Sequence, residues 1–517
     1  MFKPTTHLAL ACTLALAACA QNPATGGSNF NLISDSQARA LGEASANSEL
    51  KRYGLYNPAS GATKYVTSLC NKLYASTEVA SEPVSCILLD SDVYNAWATP
   101  GYINVYRGFL PYVSSEAELA AVLGHEAGHI AARHIHQGVS NQTIAGLIVG
   151  LAGVYAGSRM NDGTAAAVTQ LGGLAAGATL ASFSRGDELE ADKLGQRYMQ
   201  RAGYDPRESA NMIDAMLAHE TYARAYQTAV TGKPSSGGGL ARLFSSHPPS
   251  PERYQQAVGS YGAPNGSVTL PQGVQPATTA SDPQGRVRYL TAIDGLAYGP
   301  KAAWGVAGRN HLTLPKARVR VAIPDGFALM YQEGEEKPQD GAWLGRNPST
   351  GMKMEVRSTA YTPGQNVANL ATQLIEGANA ATVQRVQLAS GGEAYTGTAT
   401  VFTSPVVGRW LAIGVPEAKR LVVVGFGFPD KAAQVRLEPA LMQTLTQTRV
   451  LTAAQANAVR PLEIDVKTYR GESLASLAEA LPSGVLRQEW FRALNGLTGT
   501  ETLAKGQLYK TVIDPNR

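Results

Sequence analysis

The run His125-Glu126-Ala127-Gly128-His129 sets two imidazoles and one carboxylate at the spacing a hydrolytic zinc site needs. Residues four apart share one face of a helix, so both histidines can aim a ring nitrogen at the same ion. From its place beside them, Glu126 can take a proton from an attacking water and pass it to a leaving amine. Eight histidines in 517 residues make a chance occurrence of this spacing rare. The chemistry implied is peptide-bond hydrolysis with one Zn²⁺ per chain.

Such a pair needs a helix beneath it. Ser115-Glu116-Ala117-Glu118 predicts a capping box, after which Leu119, Val122, Leu123 and Ile130 recur at near-helical spacing. Two imidazoles leave a tetrahedral ion short of a third protein ligand and of an open position for water. The metzincin solution, a histidine six residues after the second one, is excluded because Ile135 stands there. His134 and His136 lie close by but off that register. The segment Ser184 to Asp192 offers Glu188 and Asp192 on one helical face. Glu188 can ligate, while Asp192 accepts the outer ring N–H of a ligand histidine and sets its tautomer. Glu190, on the opposite side of the same predicted helix, remains a second candidate.

Taken together, HEAGH and SRGDELEADKLG resemble metallopeptidase family forty-eight, which includes CAAX prenyl protease, HtpX-like and BepA-like enzymes. The resemblance covers roughly residues 20 to 260 and implies a mainly helical, gluzincin-type domain with a small edge-strand sheet. It implies that Glu188 is the third metal ligand and that Asp192 belongs to the same motif. Tyr94 to Val105 is similar to the family's segment before the active-site helix. Ile103, Asn104 and Val105 are then expected in an edge strand whose free backbone groups pair with an extended substrate. Ser245-Ser246-His247-Pro248 resembles the His-Pro segment of the periplasmic branch, where the histidine can approach the metal and hold the enzyme latent. His247 is thus expected as a latch or fourth ligand, and Arg253 as a contact for the substrate oxyanion.

The N-terminus speaks to compartment. Lys3 precedes an apolar stretch from Leu8 to Ala18 that suits a signal peptide and is too short to stay in a bilayer. Leu16-Ala17-Ala18-Cys19 matches a bacterial lipobox, so Cys19 is the expected lipidation site. Ala20 stands where Asp would signal inner-membrane retention, which favours the periplasmic face of the outer membrane of a Gram-negative cell. Of four cysteines, Cys12 lies in the leader, and Cys70 and Cys86 are left as one candidate disulfide.

Length and a 44 % hydrophobic content allow several cores. A formal charge of +4 over this length does not choose a partner, and with no dense basic cluster and no nucleic-acid module in the sequence no nucleic-acid partner is expected. Ile144 to Gly157 and Ala165 to Ala181 are rich in Ala, Gly, Leu and Val, expected beside the active-site helix or as a lid touching the membrane, with a hairpin through the bilayer disfavoured by the short first piece and Asp162. The fold class expected is α+β and multidomain. Its parts are a signal peptide (1–18), a peptidase domain (19–260), a linker (261–286) and an α+β domain of alternating strands and helices (287–450). No 34-residue helical repeat follows the peptidase. A last module (461–517), with Ile464 to Leu474 and Phe491 to Gln507, resembles a degenerate LysM βααβ unit, which implies peptidoglycan as a partner. Glu472-Ser473 departs from the usual Asp-Thr there. The function expected is a lipid-anchored zinc metalloendopeptidase acting on unfolded or misassembled envelope proteins. The alternatives are a latent metal-binding chaperone or tether, and a cell-wall hydrolase.

Overall fold

The computed structural model describes residues 19–57, 59–141, 183–234, 247–248, 250–261, 283–400, 406–497 and 501–517. The leader and the apolar stretch from 144 to 181 lie outside them. The chain divides into two compact units: Met1–Leu217 with Ala241–Ala292, and Ala218–Leu240 with Ile293–Arg517. No described helix is long and apolar enough to cross a membrane.

The first unit begins with a short hairpin, β1 (Cys19–Gln21) and β2 (Ser28–Phe30), then α1 (Asp35–Tyr53) and α2 (Gly61–Tyr74). A three-stranded sheet follows, made of β3 (Ser85–Leu89), β4 (Ala96–Thr99) and β5 (Tyr102–Tyr106). Cys70 on α2 and Cys86 on β3 are joined by a disulfide, with their Cα atoms 6.2 Å apart. The central helix α3 (Glu116–Ala131) is buried along all 16 residues, as a helix surrounded by other elements must be. Ser115 caps it by accepting from the Glu118 N–H. The Glu118 carboxylate accepts from the Ser114 N–H instead of closing the predicted box on Ser115.

α4 (Arg185–Arg201) packs against α3 and opens with a full capping box between Ser184 and Asp187. The two helices approach closely because glycines face each other. A Cβ on Gly195 would lie 2.9 Å from the His125 nitrogen, and one on Gly128 would lie 3.0 Å from the Ala191 carbonyl oxygen. α5 (Glu208–Thr231), α6 (Pro251–Tyr261) and α7 (Pro283–Ile293) complete the helices described up to this point in the chain. Arg288 on α7 grips Glu116 at 3.0 and 3.1 Å, and the Tyr289 hydroxyl donates to the Leu110 carbonyl. These bonds carry the first unit through Ala292, beyond the boundary expected at 260, and the end of the expected linker is helical.

The expected edge strand is corrected. β5, with Ile103, Asn104 and Val105, is the middle strand: β3 pairs with it in parallel and β4 antiparallel. The tight turn at Pro100-Gly101, where Gly101 adopts φ +91°, folds Ala96–Thr99 back onto it and uses its backbone groups. The strand with an open side next to α3 is therefore β4.

The second unit holds β6 (Ala297–Tyr298), β7 (Val306–Ala307), β8 (His311–Leu314) and β9 (Val319–Ala322). Next come β10 (Ala328–Gln332), β11 (Ala342–Arg346), β12 (Lys353–Ala360), helix α8 (Val367–Leu374), β13 (Ala378–Val386) and β14 (Glu393–Ala399). β15 (Gly408–Val415), β16 (Arg420–Gly427), helix α9 (Lys431–Leu445) and β17 (Arg449–Val450) follow. Seven of these strands form one antiparallel sheet in the order β10-β11-β12-β16-β15-β14-β13. Val319–Ala322 and Leu421–Val424 are extended, and Val367–Leu374 is helical. The expected alternation of strands and helices is corrected to a sheet-dominated region, because β-branched and aromatic runs outnumber helical stretches. Its core includes Leu411, Ile413, Val422, Val424 and Phe426.

The C-terminal elements are α10 (Ala453–Asn457), β18 (Leu462–Thr468), α11 (Leu474–Glu479), α12 (Arg487–Leu494) and β19 (Leu508–Ile513). β18 and β19 pair antiparallel around the two helices, in strand, helix, helix, strand order, and β6 adds a third strand from upstream.

Candidate metal centre

α3 and α4 bring His125, His129 and Glu188 together, and the loop residue His247 joins them. One ligand atom from each of the four lies within 4.8 Å of the others, and all four residues are buried. His125 Nε2 and His129 Nε2 are 3.0 Å apart, Glu188 Oε1 is 3.4 Å from His129 Nε2, and Glu188 Oε2 is 3.5 Å from His125 Nε2. His247 Nδ1 is 2.9 Å from Glu188 Oε1 and 3.3 Å from His125 Nε2.

The tautomers follow from the partners behind each ring. Asp192 Oδ1 lies 2.9 Å from His125 Nδ1. Burial alone would raise the Asp192 pKa, but hydrogen bonds from Arg253 and His125 hold it at about 2, so the carboxylate accepts and His125 Nδ1–H donates. His125 Nε2 therefore turns a lone pair to the centre. His129 is backed differently: its Nδ1 is 2.8 Å from His134 Nδ1, and His134 Nε2 is 3.0 Å from Glu190 Oε2. A carboxylate at one end makes His134 Nε2 the donor, which leaves His134 Nδ1 to accept from His129 Nδ1–H. His129 Nε2 is again a lone pair. Burial also pushes the His129 pKa well below the ordinary histidine value and keeps the ring neutral. Two lone pairs 3.0 Å apart repel unless a cation lies between them. The N₂O donor set from His125, His129 and Glu188 fits zinc.

Burial raises Glu126 above the usual carboxylate range, and the nearby imidazoles of His247 and His125 offset only part of this. Among the described residues its Oε2 is buried without a hydrogen-bond partner, and its Oε1 is 3.7 Å from His247 Nε2. Burial opposes ionisation of Glu188 too, but His247, His129 and His125 hold it well below the usual range.

Arg253, expected as an oxyanion contact, lies against the carboxylates of α4. Its Nε and Nη2 each donate to Asp192 at 2.7 Å, and its Nη1 is 3.1 Å from Glu188 Oε2. The guanidinium is committed to orienting the two carboxylates of α4. Glu190 is placed against His134 and away from the centre.

Two supporting groups escaped sequence reasoning. His134 sits five residues after His129, a spacing that a continuous helix would carry off the face. The helix breaks after Ala131, however, and Arg133 takes φ +61°, held by Glu82 at 2.7 Å. This turns His134 back beneath His129. Phe183 stacks on the His129 ring, with centroids 3.8 Å apart. The one available signal for the first was a histidine five residues after His129, off the helical period; for Phe183 there was none.

Residues 60–260 match the profile of peptidase family M48. The beta-barrel assembly-enhancing protease of Yersinia pestis is 28 % identical over 237 residues, 42 % of this chain and 47 % of that one. The protein of that name in Escherichia coli (strain K12) is 28 % identical over 172 residues, 31 % of this chain and 34 % of its own. A protease HtpX homolog of Paraburkholderia phytofirmans is 34 % identical over 187 residues, 32 % of this chain and 64 % of that one. The chain thus spans about half or less of the beta-barrel assembly-enhancing relatives. The helix pair and its buried histidines and carboxylates lie within residues 60–260, the stretch of the chain that matches peptidase family M48.

Proposed function

We propose that this protein is a zinc metalloendopeptidase of the bacterial envelope, held at the outer membrane by lipid on Cys19. The convergence of His125, His129 and Glu188 beside a buried, unpartnered Glu126 oxygen carries the reading. A zinc ion held by those three residues supplies Lewis acidity toward a water and a substrate carbonyl. Glu126 takes the proton from the attacking water and returns it to the departing amide nitrogen, a role its raised affinity for a proton suits. Asp192, oriented by Arg253, holds His125, and His134 with Glu190 holds His129. The open side of β4 (Ala96–Thr99) takes the substrate backbone as an added strand.

The names of the Yersinia and Escherichia relatives support unfolded or misassembled outer-membrane proteins as substrates. The βααβ element order from Leu462 to Ile513 supports a LysM-like module that ties the chain to peptidoglycan. The test is zinc content and cleavage of an unfolded protein substrate, alongside Glu126→Gln and a chelated sample. One zinc per chain, with cleavage lost in both controls, is expected; equal cleavage in wild type and Glu126→Gln overturns the assignment.

One observation favours a second, latent reading. His247 Nδ1 lies among the ligand atoms, where it can fill the position a water needs. Under this reading His247→Ala raises proteolysis; unchanged or lower activity removes the latch.

A further inference from the structure

We propose that the sheet formed by β8, β9 and β17 in the second unit carries a binding site for a phosphate group, independent of the metal centre. These strands turn Leu312, Leu314, Val319 and Val321 into the core, so their alternate residues face the other way. The face opposite the core is arranged in two rows. In one, Thr313 pairs with Arg320 and Arg320 with Arg449; in the other, His311 pairs with Ala322.

Ala322, the small residue, forms the floor of a cavity of about 300 Å³. Asn310, His311, Arg320, Gln447 and Arg449 stand around it, and among the described residues none that lines it is acidic. Five polar side chains around one alanine make a polar depression.

Arg320 and Arg449 are direct partners on adjacent antiparallel strands, an arrangement in which like charges destabilise a sheet. Among the described residues neither pairs with a carboxylate. Arg320 Nε is instead steered by Thr313 Oγ1 at 3.0 Å, which leaves its terminal nitrogens free to turn to the cavity. His311 is backed by the nearly buried Asp514, whose Oδ2 lies 3.5 Å from His311 Nε2. Two guanidinium groups would suit any oxyanion. Two guanidinium groups and two carboxamides offer more donors than the two oxygens of a carboxylate can use, and match the three or more oxygens of a phosphate.

The phosphate could belong to a soluble ester or to a lipid headgroup. The test is calorimetric titration of inorganic phosphate into the full chain at constant ionic strength set with chloride, beside Arg449→Ala and Arg320→Gln. Expected is saturable binding at one site per chain, weakened at least roughly tenfold by either substitution. Arg449 is exposed, so Arg449→Ala keeps the fold, and its melting temperature without phosphate should equal or exceed that of wild type as the like-charge opposition is relieved. No saturable binding, or binding equal in all three proteins, overturns the proposal. Sedimentation with phosphatidylglycerol and phosphatidylcholine vesicles, in proteins carrying Cys19→Ser to remove acyl chains, separates the sources. Arginine-dependent retention on phosphatidylglycerol alone identifies a headgroup; phosphate binding without retention identifies a soluble ester.

Discussion

The helix pair of the first unit and the seven-stranded sheet of the second are both buried, yet they bury opposite kinds of side chain. The sheet closes over Leu411, Ile413, Val424 and Phe426, where every atom removed from water is a gain. The helix pair closes over His125, Glu126, His129 and Glu188, whose burial costs free energy unless each is backed by a partner. Asp192 with Arg253, and His134 with Glu190, are that backing. A region built for chemistry thus carries more polar groups than its own stability requires.

This contrast can be broken at several points. The largest effect falls on Glu126→Gln, which should lower cleavage by about 10²–10⁴ while leaving thermal stability equal or higher. A buried carboxylate with an unpartnered oxygen contributes activity at the expense of the fold. A clear drop in melting temperature would contradict the contrast. In the sheet no such exchange is available: Leu411→Ala should cost about 2–5 kcal/mol in denaturant unfolding, since the side chain is fully buried among apolar neighbours. Gly195→Ala probes the close approach of α3 and α4. The new methyl meets backbone atoms that cannot yield, so a loss of about 1–3 kcal/mol is expected, with weaker zinc binding. Unchanged stability would mean the helices can part without penalty. The smallest effect concerns the relay: His134→Phe should weaken zinc about 10–100-fold in competition with a chelator, and Glu190→Gln by less. Equal affinity in both variants would show that His129 needs no support.

What the sequence made legible follows from range. His125, His129, Glu188 and Asp192 were readable because a helix relates positions four apart without reference to anything else. The strand at Tyr102–Tyr106 was readable for a similar local reason, but its neighbours were not: pairing with Ser85–Leu89 and Ala96–Thr99 is a property of the fold. His134 lies off the metzincin register, and its place beneath His129 depends on a helix break at Arg133, which is held by Glu82, 51 positions away. Arg253 was assigned to substrate because arginine suits an oxyanion, while its two carboxylate partners lie on another helix.

The glycines between α3 and α4 have a bearing on how the site exchanges with its surroundings. Three of the four clustered groups belong to helices whose backbones touch and cannot slide past one another. The fourth, His247, is carried by a loop residue outside both helices. Traffic through the centre, whether an ion arriving, a solvent molecule entering or a peptide displacing it, can then be set by the swing of one ring, with the other three standing still.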